Sequence, residues 1–339
     1  MGRSGNEADG RRRSQDEPVP ELYCPVLPQV SLYAEELDAR IIDWMAANRL
    51  YERPEQLRRY AGSGFGTFAA RVCPDAEWGL LLLFARWLAF GFFYDDEFFD
   101  EGDSSDRTAP GAEAVMAAIS VFVPDGVPPG LPRLGASDRQ HRLSVAVELL
   151  TETQEAARPE QFGRFCTQMT LWFYSYLYEP LVRSSGAPLT VTEYATNRLY
   201  NIASAPYVTL AEIVTGCAVT AEELARPDVR RLSSLAAYEM AWCNDIHSAA
   251  REATVNDRVA NLLSLLRSSG ALDARQAMNE AVRLHDQTMS SFMSLEQAVA
   301  GDASTALLHY LRILRTWIRG HYDWCRETLR YSVRAIDTG

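Results

Sequence analysis

An all-α fold is the expectation for this 339-residue chain, and three observations carry it. Apolar residues recur at three- and four-residue spacing from about Ser31 onward. No segment shows the strict alternation of a half-buried strand, and no repeat period appears. Pro-, Gly- and Ser-rich breaks punctuate the rest at intervals of helix length.

Residues 1–20 are polar, carry Arg11-Arg12-Arg13, and read as a disordered tail; the Pro-rich stretch 25–28 is extended. Leu32, Leu37, Ile41, Ile42, Trp44 and Met45 then mark the first amphipathic helix. A second helix runs from about Pro74 through Leu80–Tyr94 into Asp95-Asp96-Glu97-Phe98-Phe99-Asp100, and stops in the loop composition of Glu101–Asp106. Four prolines make 122–134 a connection. Helical periodicity resumes over 137–156, 159–184, 191–215 and 228–253, with breaks at Arg158-Pro159, 184–188 and 225–227. The last part predicts helices near 257–267, 271–299 and 303–333, separated by Ser268-Ser269-Gly270 and Gly301. Residues 21–335 are expected to form one helical domain.

A net charge of −12 argues against nucleic acid or an anionic membrane as the main partner. The chain has no lysine; all 33 basic residues are arginine, a usage that reads as coding bias rather than function. Its six cysteines (Cys24, Cys73, Cys166, Cys217, Cys243, Cys325) lie far apart without metal-type spacing, and are expected to be reduced and mostly buried. No apolar segment follows the basic tail to make a signal peptide, and even 80–94 contains Arg86. A cytoplasmic, soluble protein is the expectation.

Two polar clusters stand out from the apolar helices. Asp95 and its neighbours end a helix that ought to be buried, where carboxylates are costly unless a cation neutralises them. Hard divalent ions such as Mg²⁺, held by Asp, Glu, Asn and Ser oxygens, suit that need. In this cluster Asp95-Asp96 with Asp100 reads as DDxxxD, and Asp96 to Asp100 reads equally as DExxD. The ordinary alternative is a solvated acidic helix end. In the second cluster, Asn244, Ser248 and Glu252 are spaced i, i+4, i+8 and share one helical stripe. An amide oxygen, a hydroxyl and a carboxylate so aligned make a ligand set for Mg²⁺; a plain polar face is the alternative.

The pair of motifs, in this order, resembles the bacterial class I terpene synthases (terpene cyclases). Asn244-Asp245-Ile246-His247-Ser248-Ala249-Ala250-Arg251-Glu252 is similar to that family's N-D-x-x-S-x-x-x-E pattern throughout. Arg198, 46 positions before Asn244, stands where the family has a pyrophosphate-sensing arginine. Arg330-Tyr331 resembles its C-terminal Arg-Tyr pair, and the likeness spans nearly all of 21–335. The first motif departs from the usual DDxx(D/E), because its third acid comes one residue late. The expected metal-bridging ligand is therefore Asp95, with Asp96 and Asp100 secondary.

The resemblance implies a helical bundle around a deep central pocket, with three Mg²⁺ ions: two bound through Asp95, one through Asn244, Ser248 and Glu252. It implies that Arg198, Arg251, Arg330 and Tyr331 bind the pyrophosphate of an isoprenoid diphosphate. It further implies that Asn201 links to Arg198, and that the carbonyl of Ile202 helps trigger ionisation. Pro206 is expected to bend that helix. Phe92 and Trp317 are candidate walls for a carbocation, and Trp317, Trp324 and Tyr331 recur every seven residues as a stripe on the last helix. Neither His247 nor His321 is assigned a role.

On this resemblance the substrate is farnesyl diphosphate, giving a sesquiterpene; geranyl or 2-methylgeranyl diphosphate, as in the 2-methylisoborneol-forming branch, is the alternative. A chain-elongating prenyltransferase would carry a second aspartate-rich motif where this chain has Asn244–Glu252. A non-catalytic helical module with acidic patches would show no Mg²⁺-dependent binding of pyrophosphate. A homodimer is compatible with the resemblance and not derivable from the sequence.

Overall fold

The computed structural model describes residues 19–51, 53–96, 108–123, 137–255, 261–270 and 272–331. Residues 1–18 of the expected tail, Asp100, and most of the Pro-rich connection therefore lie outside the described residues. Fifteen α-helices are described and no strand occurs among these residues, as the all-α expectation requires. They are α1 (Ala34–Ala47), α2 (Pro54–Ala61), α3 (Phe65–Val72), α4 (Trp78–Asp95), α5 (Thr108–Val121), α6 (Ser137–Ala156), α7 (Pro159–Ser175) and α8 (Tyr178–Ser185). They continue as α9 (Val191–Asn201), α10 (Ser204–Val214), α11 (Ala221–Ala225), α12 (Pro227–Val255), α13 (Leu262–Gly270), α14 (Ala274–Ala300) and α15 (Thr305–Glu327).

The core is organised around α4. Its sequence is apolar on every side, and a helix of that kind must be enclosed by protein or lipid. Among the described residues it is the one helix long and apolar enough to cross a membrane, yet α1, α3, α6 and α10 pack against it. Leu81, Phe84, Trp87, Phe90 and Phe93 are buried on successive faces, while Arg86 turns outward to Glu152 at 3.3 Å. Helices α1 and α3 approach one another closely. A Cβ on Gly66 would run into the backbone of Leu37 and Asp38, which cannot rotate away. Gly66→Ala is expected to force the helices apart and cost about 1–3 kcal/mol, read as a lowered thermal midpoint. An unchanged midpoint would mean the two backbones separate freely.

The long α12 packs against α9, α10, α14 and α15. Buried between α12 and α14, His285 holds Glu239 at 2.8 Å through Nε2 and Asp286 at 2.9 Å through Nδ1. Burial opposes the imidazolium, but the hydrogen bond to Glu239 and the charges of both carboxylates outweigh it and raise the histidine above its ordinary 6.5. A raised histidine stabilises fully below its unfolded value, and loses that contribution as pH rises through the folded one. The thermal midpoints of the parent and a His285→Gln variant should thus differ more at about pH 6 than at about pH 9. An equal gap at both would place a neutral imidazole there.

The expected break at Ser268-Ser269-Gly270 instead lies within α13, and three other departures from the sequence expectation have a physical cause. The segment 159–184 is two helices, divided at Tyr176-Leu177, and 191–215 is also two, divided at Ile202-Ala203. In each case the residue that caps the helix, Tyr176 or Ile202, stands four before a proline, Pro180 or Pro206, whose missing N–H leaves the cap carbonyl without a helical donor. Ala203 makes the second break sharp by adopting φ +57°, a left-handed conformation costly for a residue with a Cβ. Pro206 itself sits in the first turn of α10, where no donor is required, so the bend lies upstream of the proline.

The expected helix 303–333 ends at Glu327. Thr328 is extended, its hydroxyl donates to Ser63 O at 2.9 Å, and Leu329 N donates to Gly62 O at 3.1 Å. The α2–α3 loop thus hooks the C-terminal segment, and Leu329–Tyr331 form a 3₁₀ turn. Tyr331 therefore does not continue a helical stripe with Trp317 and Trp324, although its ring still meets Trp324 edge-on at 5.6 Å. Helices α2, α3, α5 and α11 were not anticipated from the sequence.

Candidate active site

The second motif lies on the buried side of α12. Asp245 is fully enclosed and accepts from Arg198 Nη2 at 2.5 Å, from Tyr194 Oη at 2.7 Å and from Leu262 N at 3.2 Å. That fixes Arg198 in place. Its Nη1 donates to Asn201 Oδ1 at 2.9 Å, and Nη2 also reaches Asn244 Oδ1 at 2.8 Å. Asn244 passes the chain on, donating from Nδ2 to Tyr331 Oη at 2.7 Å. Glu252 accepts from Asn261 Nδ2 at 2.8 Å. Burial raises the carboxyl of Glu252 above the ordinary range, and neighbouring Asp245 raises it further. Ser248 is buried and its Oγ has no hydrogen-bond partner.

The first motif separates its two aspartates. Asp96, with no exposed surface, receives Arg330 through two hydrogen bonds of 2.7 and 2.6 Å. Arg251 and Arg59 each reach it at 3.4 Å. Burial alone would raise Asp96, yet Arg330, Arg251 and Arg59 together hold it below the ordinary carboxylate range. Asp95 is partly exposed, accepts from Tyr176 Oη at 2.6 Å, and stands 3.8 Å from Arg330. Burial dominates there and raises its carboxyl, with Asp96 adding to the rise against the pull of Arg330. Both oxygens of Asp96 are thus committed to guanidinium groups, whereas Asp95 presents the less neutralised carboxylate.

Aromatic rings pack beside these groups. Phe92 lies under Arg330, whose guanidinium carbon is 4.8 Å from the ring centre, and stacks on Phe65 at 4.9 Å. Phe68 stacks on both Trp317 and Trp324, at 5.5 and 4.8 Å. Trp317 is 2% exposed, donates from Nε1 to Ser204 Oγ at 3.0 Å, and stacks on Tyr207 at 6.0 Å. Tyr207 in turn donates to Trp87 O at 2.7 Å. A Cβ on Gly91 would collide with the Tyr207 hydroxyl, so glycine lets that tyrosine cross α4.

The donor set fits a hard divalent cation. Asn244, Ser248 and Glu252 offer neutral and anionic oxygens on one helical stripe, and the orphaned Ser248 hydroxyl lacks the partner that a buried polar atom needs. The cationic side is also incomplete: Nε of Arg198 and Nε of Arg330 are buried donors without acceptors. An anion with several oxygens would satisfy both.

Residues 86–291 match the family model described as terpene synthase family 2, C-terminal metal binding. The chain belongs to the bacterial class I terpene synthases. This terpene synthase is 28% identical to spiroviolene synthase of Streptomyces violens over 315 residues, covering 92% of this chain and 85% of the relative. It is 29% identical to the (−)-α-amorphene synthase of Streptomyces viridochromogenes, a farnesyl diphosphate-cyclising enzyme, over 92% of this chain and 88% of that one. Among solved structures, 2-methylisoborneol synthase of Streptomyces coelicolor A3(2), in complex with Mg²⁺ and 2-fluoroneryl diphosphate, superposes with a TM-score of 0.80. That pair shares 27% identity, over 93% of this chain and 98% of the other.

In this terpene synthase, the described site residues other than Ile202 lie at or beside the two motifs or the aromatic cluster next to them. Ile202 caps α9 at the helix break. Four further residues were not foreseen: Tyr176 on Asp95, Tyr194 on Asp245, Asn261 on Glu252, and Arg59 on Asp96. Asn261 carried a signal, since an asparagine directly before the apolar run Leu262-Leu263 is an N-cap pattern. The tyrosines and Arg59 carried none.

Proposed function

We propose that this terpene synthase binds farnesyl diphosphate, separates its pyrophosphate from the allylic carbon, and cyclises the resulting carbocation to a sesquiterpene. The observation that carries the reading is the continuous chain Asn201–Arg198–Asn244–Tyr331, which joins the cationic side of the site to the metal motif. Asn244, Ser248 and Glu252 would hold one Mg²⁺ and Asp95 the other two. Bound there, the ions supply positive charge against the pyrophosphate as its ester oxygen becomes a leaving group. Asp100 remains a proposed secondary ligand, while Asp96 serves to hold Arg330 and Arg251.

The protein's own groups then do separate work. Arg198, Arg251, Arg330 and Tyr331 donate hydrogen bonds to the departing pyrophosphate. Asn201 keeps Arg198 aimed. The carbonyl of Ile202, whose helical donor is absent because Pro206 has no N–H, directs a dipole at the allylic end. Phe92 and Trp317, with Phe65, Phe68, Trp324 and Tyr207, exclude water and offer ring faces to the cation without attacking it. Residues 21–335 constitute the catalytic unit on this reading.

Incubation with geranyl, 2-methylgeranyl, farnesyl and geranylgeranyl diphosphates, with and without Mg²⁺, tests it by mass spectrometry of the volatile extract. A cyclic C15 product appearing only with farnesyl diphosphate and Mg²⁺ is expected. Cyclic product from 2-methylgeranyl diphosphate alone would favour the alternative that the 2-methylisoborneol synthase likeness supports. Folded protein that turns over none of them would overturn the reading.

A further inference from the structure

Behind the motif, α12 and α15 enclose a second donor set of different chemistry. Cys243, directly before Asn244, faces His321 and Cys325 from α15; all three are buried, and their ligand atoms lie within 4.8 Å of one another. Nε2 of His321 stands 3.4 Å from Cys325 Sγ. Bonds of about 2.3 Å to sulfur and about 2.0 Å to nitrogen, at a tetrahedral angle, put those atoms about 3.5 Å apart. That edge already has the right length. Among the described residues the His321 nitrogens meet no oxygen; their hydrogen-bond contacts are to the Cys325 sulfur. A buried imidazole without an oxygen or nitrogen partner is unusual. His247 does not complete the set, because its Nδ1 lies 2.8 Å from the Cys243 carbonyl oxygen as well as 3.7 Å from the thiol.

The geometry points to a soft divalent-cation site, of the zinc or cadmium class, formed by Cys243, His321 and Cys325 with a fourth position for water. Two thiols and an imidazole select such ions, whereas the oxygens of Asn244, Ser248 and Glu252 select Mg²⁺. On binding, each sulfur bonds to the ion and its proton passes to solvent; nothing is oxidised or reduced. The site ties α12 to α15 one residue from Asn244 and five from Arg330. Contracting it would draw α12, which carries Asn244 and Arg251, toward the end of α15, which leads into the turn that carries Arg330. This inference stands independently of the substrate proposed above.

Reduced, metal-free protein in excess Mg²⁺ should be titrated with Cd²⁺, following the ultraviolet thiolate-to-cadmium charge-transfer band and counting bound ions by native mass spectrometry. Saturation at one Cd²⁺ per chain is expected, undiminished by Mg²⁺. Cys243→Ala and Cys325→Ala should each lose much of the band, and His321→Gln should weaken binding about tenfold or more. No saturable band in the parent protein, or the same band in a Cys243→Ala/Cys325→Ala double variant, would overturn the site. Should the cysteine variants fail to fold by circular dichroism, His321→Gln decides alone, and unchanged Cd²⁺ affinity refutes it.

Discussion

Asp96→Ala is expected to destabilise the protein by about 3–5 kcal/mol and abolish turnover, whereas Asp95→Ala should abolish turnover in a protein that melts near the parent. The two carboxylates are adjacent in sequence and opposite in what holds them. Asp96 is fully buried, bonded twice to Arg330 and within 3.4 Å of Arg251 and Arg59. Removing it takes the close counter-ion from the buried Arg330, and a buried charge without its counter-ion costs far more than the pair contributed. Asp95 is partly exposed and under-neutralised, with its carboxyl raised chiefly by burial, so its loss relieves as much as it removes. The pH dependence has a fixed sign. Asp96 is held below its ordinary 3.8, so its contribution is present above that value and lost as pH falls below it. Thermal melts of the two variants check the division. A stable Asp96→Ala protein would make that aspartate a solvent-relaxed ligand instead of an arginine anchor.

This asymmetry marks the limit of what the sequence could disclose. The spacing of Asn244, Ser248 and Glu252 was legible because helical geometry alone puts them on one stripe, and Arg198 was legible by resemblance at a fixed register. Which of Asp95 and Asp96 stays accessible depends on how α4 is rotated in its packing. That rotation is set by Trp87, Phe90 and Phe93 against other helices, not by the acidic run itself. Tyr176, Tyr194 and Arg59 arrive from helices α2, α7 and α9 or their ends, and only tertiary structure brings them to the motifs. The heptad-like spacing of Trp317, Trp324 and Tyr331 suggested one helix, yet the Ser63 carbonyl captures Thr328 and ends it. A hydrogen bond to a remote backbone atom leaves no local trace. The break at Ala203 is equally silent, since the residue in the left-handed conformation is not glycine.

Glu252→Gln should lower turnover about a thousandfold, the loss of several kcal/mol of charge stabilisation, while leaving the thermal midpoint unchanged or higher. The carboxyl of Glu252 is raised by burial first and by Asp245 second, so ionising it at neutral pH works against folding. The sign follows: a carboxyl raised in the folded state is stabilising when protonated, and its ionisation erodes stability as pH rises through that value. Glutamine keeps an oxygen that can accept from Asn261, now at 2.8 Å, and removes the buried negative charge. The native protein therefore holds a carboxylate that its own fold opposes, together with a buried Ser248 hydroxyl that has no partner. Both costs make sense if a divalent cation repays them, and such strain is where stability and activity part company. Added Mg²⁺ should correspondingly raise the midpoint of the parent protein more than that of Glu252→Gln, since a ligand of the folded state stabilises it by mass action. If the variant instead melts lower, keeps its turnover and responds to Mg²⁺ as the parent does, Glu252 is a packing residue and the metal set must be sought elsewhere.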